Sequence, residues 1–150
     1  MENFIKTQKI YAAAANRRNA VHKCLKKGLP NKRIARQLNM SVATVEGHIT
    51  RMCRQFNAKD SIHLMTLTHP ARGKILAKLP QLTAQENEIL HMRMRGTPLK
   101  DICQIKGIAF STGETHMRNI RSKTDSSSLR NAASIILQKT PEGADSENQN

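Results

Sequence analysis

Two short segments carry residues whose types and spacing could do chemistry. Lys32, Arg33 and Arg36 crowd one of them, and Ala43, Glu46, Gly47, Thr50 and Arg54 recur three and four positions apart on the other, the interval that brings side chains to one helix face. What they offer is recognition rather than bond making. Ammonium and guanidinium groups neutralise phosphate oxygens, while a hydroxyl or a carboxylate can hydrogen bond base edges in a groove. Asn31, Arg51 and Lys59 flank these faces and join them as candidate contacts.

Catalysis finds no candidate. The chain has no Gly-rich phosphate loop, no nucleophile with a matching base, and too few carboxylates for paired acid-base or Mg²⁺ chemistry. Its six His are scattered, and Cys24, Cys53 and Cys103 form no C-x-x-C pair, which argues against a metal site and a disulfide framework and for reduced thiols. No cofactor and no metal are expected.

Composition points the same way. Twenty-five Lys and Arg against eleven Asp and Glu leave +14 on 150 residues, an imbalance that asks for a polyanionic partner. Aromatic residues are 3% of the chain, with Tyr11, Phe4, Phe56 and Phe110 alone, so base-stacking platforms for single strands are hard to build and duplex DNA is the better partner. No apolar run approaches the roughly 18 residues of a membrane span. A basic membrane-surface helix would need bulky aromatics opposite its charge, and no such pattern stands out. A cytoplasmic, nucleoid-associated protein without membrane contact is expected.

These faces must be positioned by something, and the chain repeats itself. A shift of 68 residues, without a gap, aligns Gly28 with Gly96, Pro30 with Pro98, Lys32 with Lys100, Ile34 with Ile102, Thr44 with Thr112, Glu46 with Glu114 and His48 with His116. Apolar positions align too, Val21 with Ile89 and Met52 with Ile120. The spacing of apolar residues is helical, so the expected fold is all-α: two tandem four-helix units, each with a helix-turn-helix. The expected organisation is an N-terminal extension (1–14), a first unit (15–69), a linker (70–81), a second, divergent unit (82–138) and a disordered acidic tail (139–150). Charge is uneven between the halves, +13 over residues 1–81 and +3 over 82–138.

Gly28 to Met52 reads as two helices joined by a tight turn at Leu38 to Ser41, with Ser41 capping the second. Ile34, Ala35, Leu38, Met40, Val45, Ile49 and Met52 form the expected buried wedge, leaving the other face of the second helix for a major groove. Thr83 and Glu86 form a capping box that opens the second unit. A fourth helix is expected near Asp60 to Leu67 and again near Ser127 to Gln138.

The string resembles the C-terminal DNA-binding domain of the LuxR/GerE family of bacterial transcription regulators. Gly28, Asn31, Lys32, Ile34, Ala35, Leu38, Ser41, Thr44, Val45 and His48 carry the likeness in the first half. Leu82, Thr83, Glu86, Ile89, Leu90, Gly96, Lys100, Ile102, Thr112 and His116 carry it in the second. The resemblance implies that Thr44 and His48 serve the backbone and base of the first recognition helix, positions that packing alone would equally suit, and that Lys100, Thr112, Glu114, Thr115, His116, Arg118 and Arg121 form the second unit's DNA face. It also implies pairing through the fourth helices, as a homodimer or as an intrachain pseudo-dimer; if the fold serves protein contacts instead, RNA polymerase or another regulator is the expected partner. Departures fall mostly in the second unit. Lys106 stands for a buried Leu, Ala109 for the capping Ser and Gly113 for a packed Val, each expected to weaken that helix pair, and Ser111 with Glu114 offers a later capping box and a late helix start. Two functions follow: a sequence-specific regulator, or a helix-turn-helix interaction module touching DNA only nonspecifically.

Overall fold

The computed structural model describes residues 1–71, 74–124 and 128–141, and every regular element among them is a helix. In chain order these are α1 (Glu2–Lys26), α2 (Asn31–Leu38), α3 (Val42–Phe56), α4 (Ser61–Leu67), α5 (Ala84–Met94), α6 (Leu99–Lys106), α7 (Phe110–Lys123) and α8 (Leu129–Lys139).

Local chemistry explains most boundaries. Pro30 and Pro98, both extended, precede α2 and α6, where a fixed φ and a missing N–H cost nothing. Asn39 and Gly107 end them in the left-handed region. The Ser41 hydroxyl accepts the Thr44 amide at 3.1 Å, the Asp60 carboxylate accepts that of His63 at 2.9 Å, and Thr83 and Glu86 close the capping box. Such caps contribute about 1 kcal/mol each.

α7 corrects one expectation. It starts at Phe110 with Ala109 as an uncapped N-cap, in register with Val42 of α3 and ahead of the Ser111 box. Packing of α6 on α7 sets this start and outweighs a capping preference.

α1 runs without a break from Glu2 through the expected extension into the first unit, and its first twelve residues are exposed. At the other end α8 reaches Lys139 and Thr140 is buried, its hydroxyl donating to the Ile136 carbonyl at 2.9 Å. Ser127 and the remainder of the expected acidic tail, residues 142–150, lie outside the described residues.

The apolar side chains of both halves form one cluster, from Val21, Leu25, Ile34 and Val45 to Ile89, Leu90, Ile102 and Ile120. α4 packs on α3, and also on α5 and α8. Ile62, Leu64 and Met65 from α4 and Ala132, Ala133 and Ile136 from α8 are buried. The contacts are pseudo-twofold: Gly28 abuts Asn131 and Gly96 abuts His63, the same pair moved by 68 positions in opposite directions. Both glycines have positive φ, +79° and +91°, and a Cβ would lie 2.7 Å from Asn131 Cα in one case and 2.5 Å from His63 Nδ1 in the other. Only glycine meets both demands.

Residues 74–81, between the halves, are irregular but docked. Leu79 is wholly buried, and the buried Asn87 amide accepts the Leu79 N–H at 2.9 Å while donating to the Leu79, Leu82 and Thr83 carbonyls. These bonds satisfy both backbone groups of Leu79, which has no regular partner strand or helix.

The second unit's departures are compensated rather than simply weakening. Lys106 is largely buried, yet its ammonium reaches Glu88 at 2.6 Å, so its stem replaces a Leu and its head stays paired. Gly113 is buried, and a Cβ there would fall on Cys103 Sγ. Cys103 and Gly113 correspond to Ala35 and Val45 of the first unit; volume removed from one helix is returned by the other. Gly113→Val should therefore overpack the pair and cost about 1–3 kcal/mol. Adding Cys103→Ala, which recreates the first unit's pair, should recover most of the loss in thermal unfolding followed by circular dichroism. Simple additivity of the two changes would show that these side chains do not share one space.

Candidate nucleic-acid interface

On the first unit, the α2–α3 turn and the α3 cap hold an open face. Ala43, Thr44, Glu46, Gly47, Thr50, Arg51 and Arg54 are exposed along α3, with Lys32 and Arg33 beside them on α2 and Lys59 after α3. Two of these side chains are partly committed within the helix: the Thr44 hydroxyl lies 2.7 Å from that of Ser41, and the Thr50 hydroxyl donates to the Glu46 carbonyl at 2.9 Å. Two candidates sit apart from the open face. His48 is buried, its Nδ1 without a hydrogen-bond partner. Asn31 is half-buried, its Oδ1 accepting from Arg130 at 2.7 Å.

The second unit repeats the arrangement. Lys100 on α6 and Thr112, Glu114, Thr115, Arg118 and Arg121 on α7 are exposed, and His116 is half-buried with an unpartnered Nδ1. The Thr115 hydroxyl donates to the Ser111 carbonyl at 3.0 Å, as Thr50 does in α3.

Charge is spent differently in the two units. Glu86 takes the Lys123 ammonium on both oxygens at 2.9 Å. Burial alone would raise the Glu86 carboxyl, but the Lys123 hydrogen bonds, the Thr83 amide and the Lys123 and His116 charges outweigh it and hold the group below the usual carboxylate range. With Lys106 held by Glu88, two cations of the second unit are paired with carboxylates of their own unit. In the first unit the opposite occurs around His48, whose imidazole is held below its ordinary value by burial and then by the Arg51, Arg18 and Arg17 charges.

Arg130 of α8 was missed by sequence reasoning. Its guanidinium donates to the Leu29 carbonyl at 3.0 Å, to Asn31 and to the Ser61 hydroxyl at 3.0 Å, so a residue of the second unit fastens the N-terminal end of α2. Pro30, Asn31, Lys32, Val42 and Glu46 line one side of a groove here, with Ser128, Leu129 and Arg130 on the other. The repeat held one signal, since Arg130 stands where the first unit has the buried Ile62. The Asp60 carboxylate, besides capping α4, pairs with Arg93 of α5 at 2.9 Å. Ser134 donates to the Lys26 carbonyl at 2.6 Å. All three ties cross between the halves.

Among the described residues no helix is long and apolar enough to cross a membrane, and no group of His, Cys, Asp and Glu could hold a metal ion. The family model GerE, described as bacterial regulatory proteins of the luxR family, matches residues 15–68 and again residues 80–136. No curated protein and no solved structure matches the chain.

Proposed function

Since the chain belongs to the luxR family of bacterial regulatory proteins, we propose that it is a sequence-specific transcription regulator. It reads duplex DNA with two recognition helices, α3 and α7, on one chain. The observation that carries this reading is the packing of α4 on α8, which joins the two helix-turn-helix pairs in a pseudo-twofold body. A second copy is not needed to present two reading heads, so the working form is an intrachain pseudo-dimer acting in the cytoplasm on the nucleoid. Lys32, Arg33 and Lys100 hold phosphates, and the open faces of α3 and α7 read base edges.

One observation favours a second reading for the second unit. Ile105 and Phe110 are 68% and 51% exposed at its helix-turn-helix, where the first unit has Gln37 and Val42. An apolar pair there suits docking on RNA polymerase or another regulator. Selection of random duplexes by the full chain at physiological salt decides between them. Two unequal half-sites are the expected outcome, with affinity falling on added salt at a log-log slope of about −0.9 per phosphate contacted. A single half-site would assign the second unit to protein docking, and a slope near zero would remove DNA binding altogether.

A further inference from the structure

α1 carries two arginines where the repeat puts other chemistry. Arg17, Arg18 and Arg51 correspond to Gln85, Glu86 and Asn119, so three cations of the first unit replace one anion of the second. That anion is fully engaged: Glu86 is 3% exposed, closes the capping box with Thr83 and takes Lys123. The first unit has no equivalent lock, because α1 runs on toward Glu2 instead of starting at a cap, and Gln55 stands in place of Lys123.

α1 packs directly on α3, and the charges of Arg51, Arg18 and Arg17 all reach the His48 imidazole. Arg17 and Arg51 are exposed and Arg18 is half-buried. Among the described residues none of the three has a carboxylate partner. His48, one turn before Arg51 on α3, is only 8% exposed, with Nδ1 unbonded. Like charges gathered around a buried polar group repel one another in the isolated protein, and an anion relieves them.

We propose that Arg17, Arg18 and Arg51 form a seat for one backbone phosphate of duplex DNA, a contact that the first unit makes and the second lacks. This seat rests on the DNA-binding function proposed above. Arg51 belongs to the same helix as the open face and lies one turn from Gly47, so a duplex lying on that face brings its backbone alongside. Guanidinium groups suit a phosphate diester because their forked donors match its two free oxygens. The seat anchors without reading sequence, which makes the first unit the gripping half.

Salt titration of the full chain on a labelled duplex, read by fluorescence anisotropy, tests it. The Arg17→Ala/Arg18→Ala variant should flatten the log-log salt slope by about 0.9 for the one phosphate lost. Affinity at physiological salt should fall about tenfold, with sequence preference unchanged and the melting temperature no lower; Arg18→Lys should keep most of the slope. Arg17→Ala alone, at an exposed position, should flatten the slope in part and serves if the double variant fails to fold. An unchanged slope in folded variants of a parent that binds DNA would overturn the seat and leave the proposed function standing. A parent with no salt-dependent binding would overturn the function, and the seat with it.

Discussion

Truncation after Ala71 should abolish cooperative thermal unfolding of the first unit as a monomer. Read as a sequence, the first half is a self-sufficient domain, and a fragment of it would be expected to keep binding DNA with a shorter footprint. The shared core changes that expectation. α4 packs on α3 within its own unit but also on α5 and α8, and removing the second half uncovers Ile62, Leu64 and Met65, all buried in the whole chain. Exposing such side chains costs about 1.5–3 kcal/mol each, and a domain has only about 5–15 kcal/mol in all. The Arg130 bonds to Leu29, Asn31 and Ser61 and the Ser134 bond to Lys26 are lost as well. A broad melt by circular dichroism is expected, sharpening only at concentrations where α4 pairs with a second copy. A sharp, concentration-independent melt from a fragment that is monomeric by light scattering would show that the first unit folds alone.

Gly47→Glu should separate stability from DNA binding by a wide margin. Gly47 sits inside α3, where glycine costs about 1 kcal/mol relative to alanine, yet a Cβ there would meet nothing within 4 Å. Folding therefore does not require this glycine, and its position on the open face between Glu46 and Thr50 gives it another use: close approach of the helix backbone to the groove. The glutamate variant should melt no lower than the parent. Its duplex affinity should fall about a hundredfold, equivalent to roughly 2.7 kcal/mol, because a second carboxylate beside Glu46 faces phosphates and like-charge juxtaposition costs several kcal/mol. Gly47→Ala isolates the steric part, raising the melting temperature while weakening binding less. Unchanged affinity in the glutamate variant would mean that this face of α3 does not meet DNA.

Much of this protein is written locally. Helix type and placement follow from apolar residues three and four apart, and the ends from short-range chemistry such as Ser41 on Thr44, Asp60 on His63, and the Thr83–Glu86 box. The repeat, the helix-turn-helix and the open face of α3 are also legible, because each rests on contacts within one turn or between adjacent helices. Sequence reasoning erred on Ser111, whose box is the better local cap, because packing of α6 on α7 overrode that preference and left Ala109 at the start.

What no local rule could supply are the juxtapositions across the repeat. Arg130 meets Asn31, Arg93 meets Asp60 and Ser134 meets Lys26 only after both units have folded against each other. The exchange of Ala35 and Val45 for Cys103 and Gly113 looks like two defects until the two side chains occupy one space. The residue types determined by themselves that there would be two helical units, each with a helix-turn-helix, and a basic first half. Only the tertiary structure decided that they share one core, since burial of α4 and α8 depends on which surface remains uncovered once every nearer partner is satisfied.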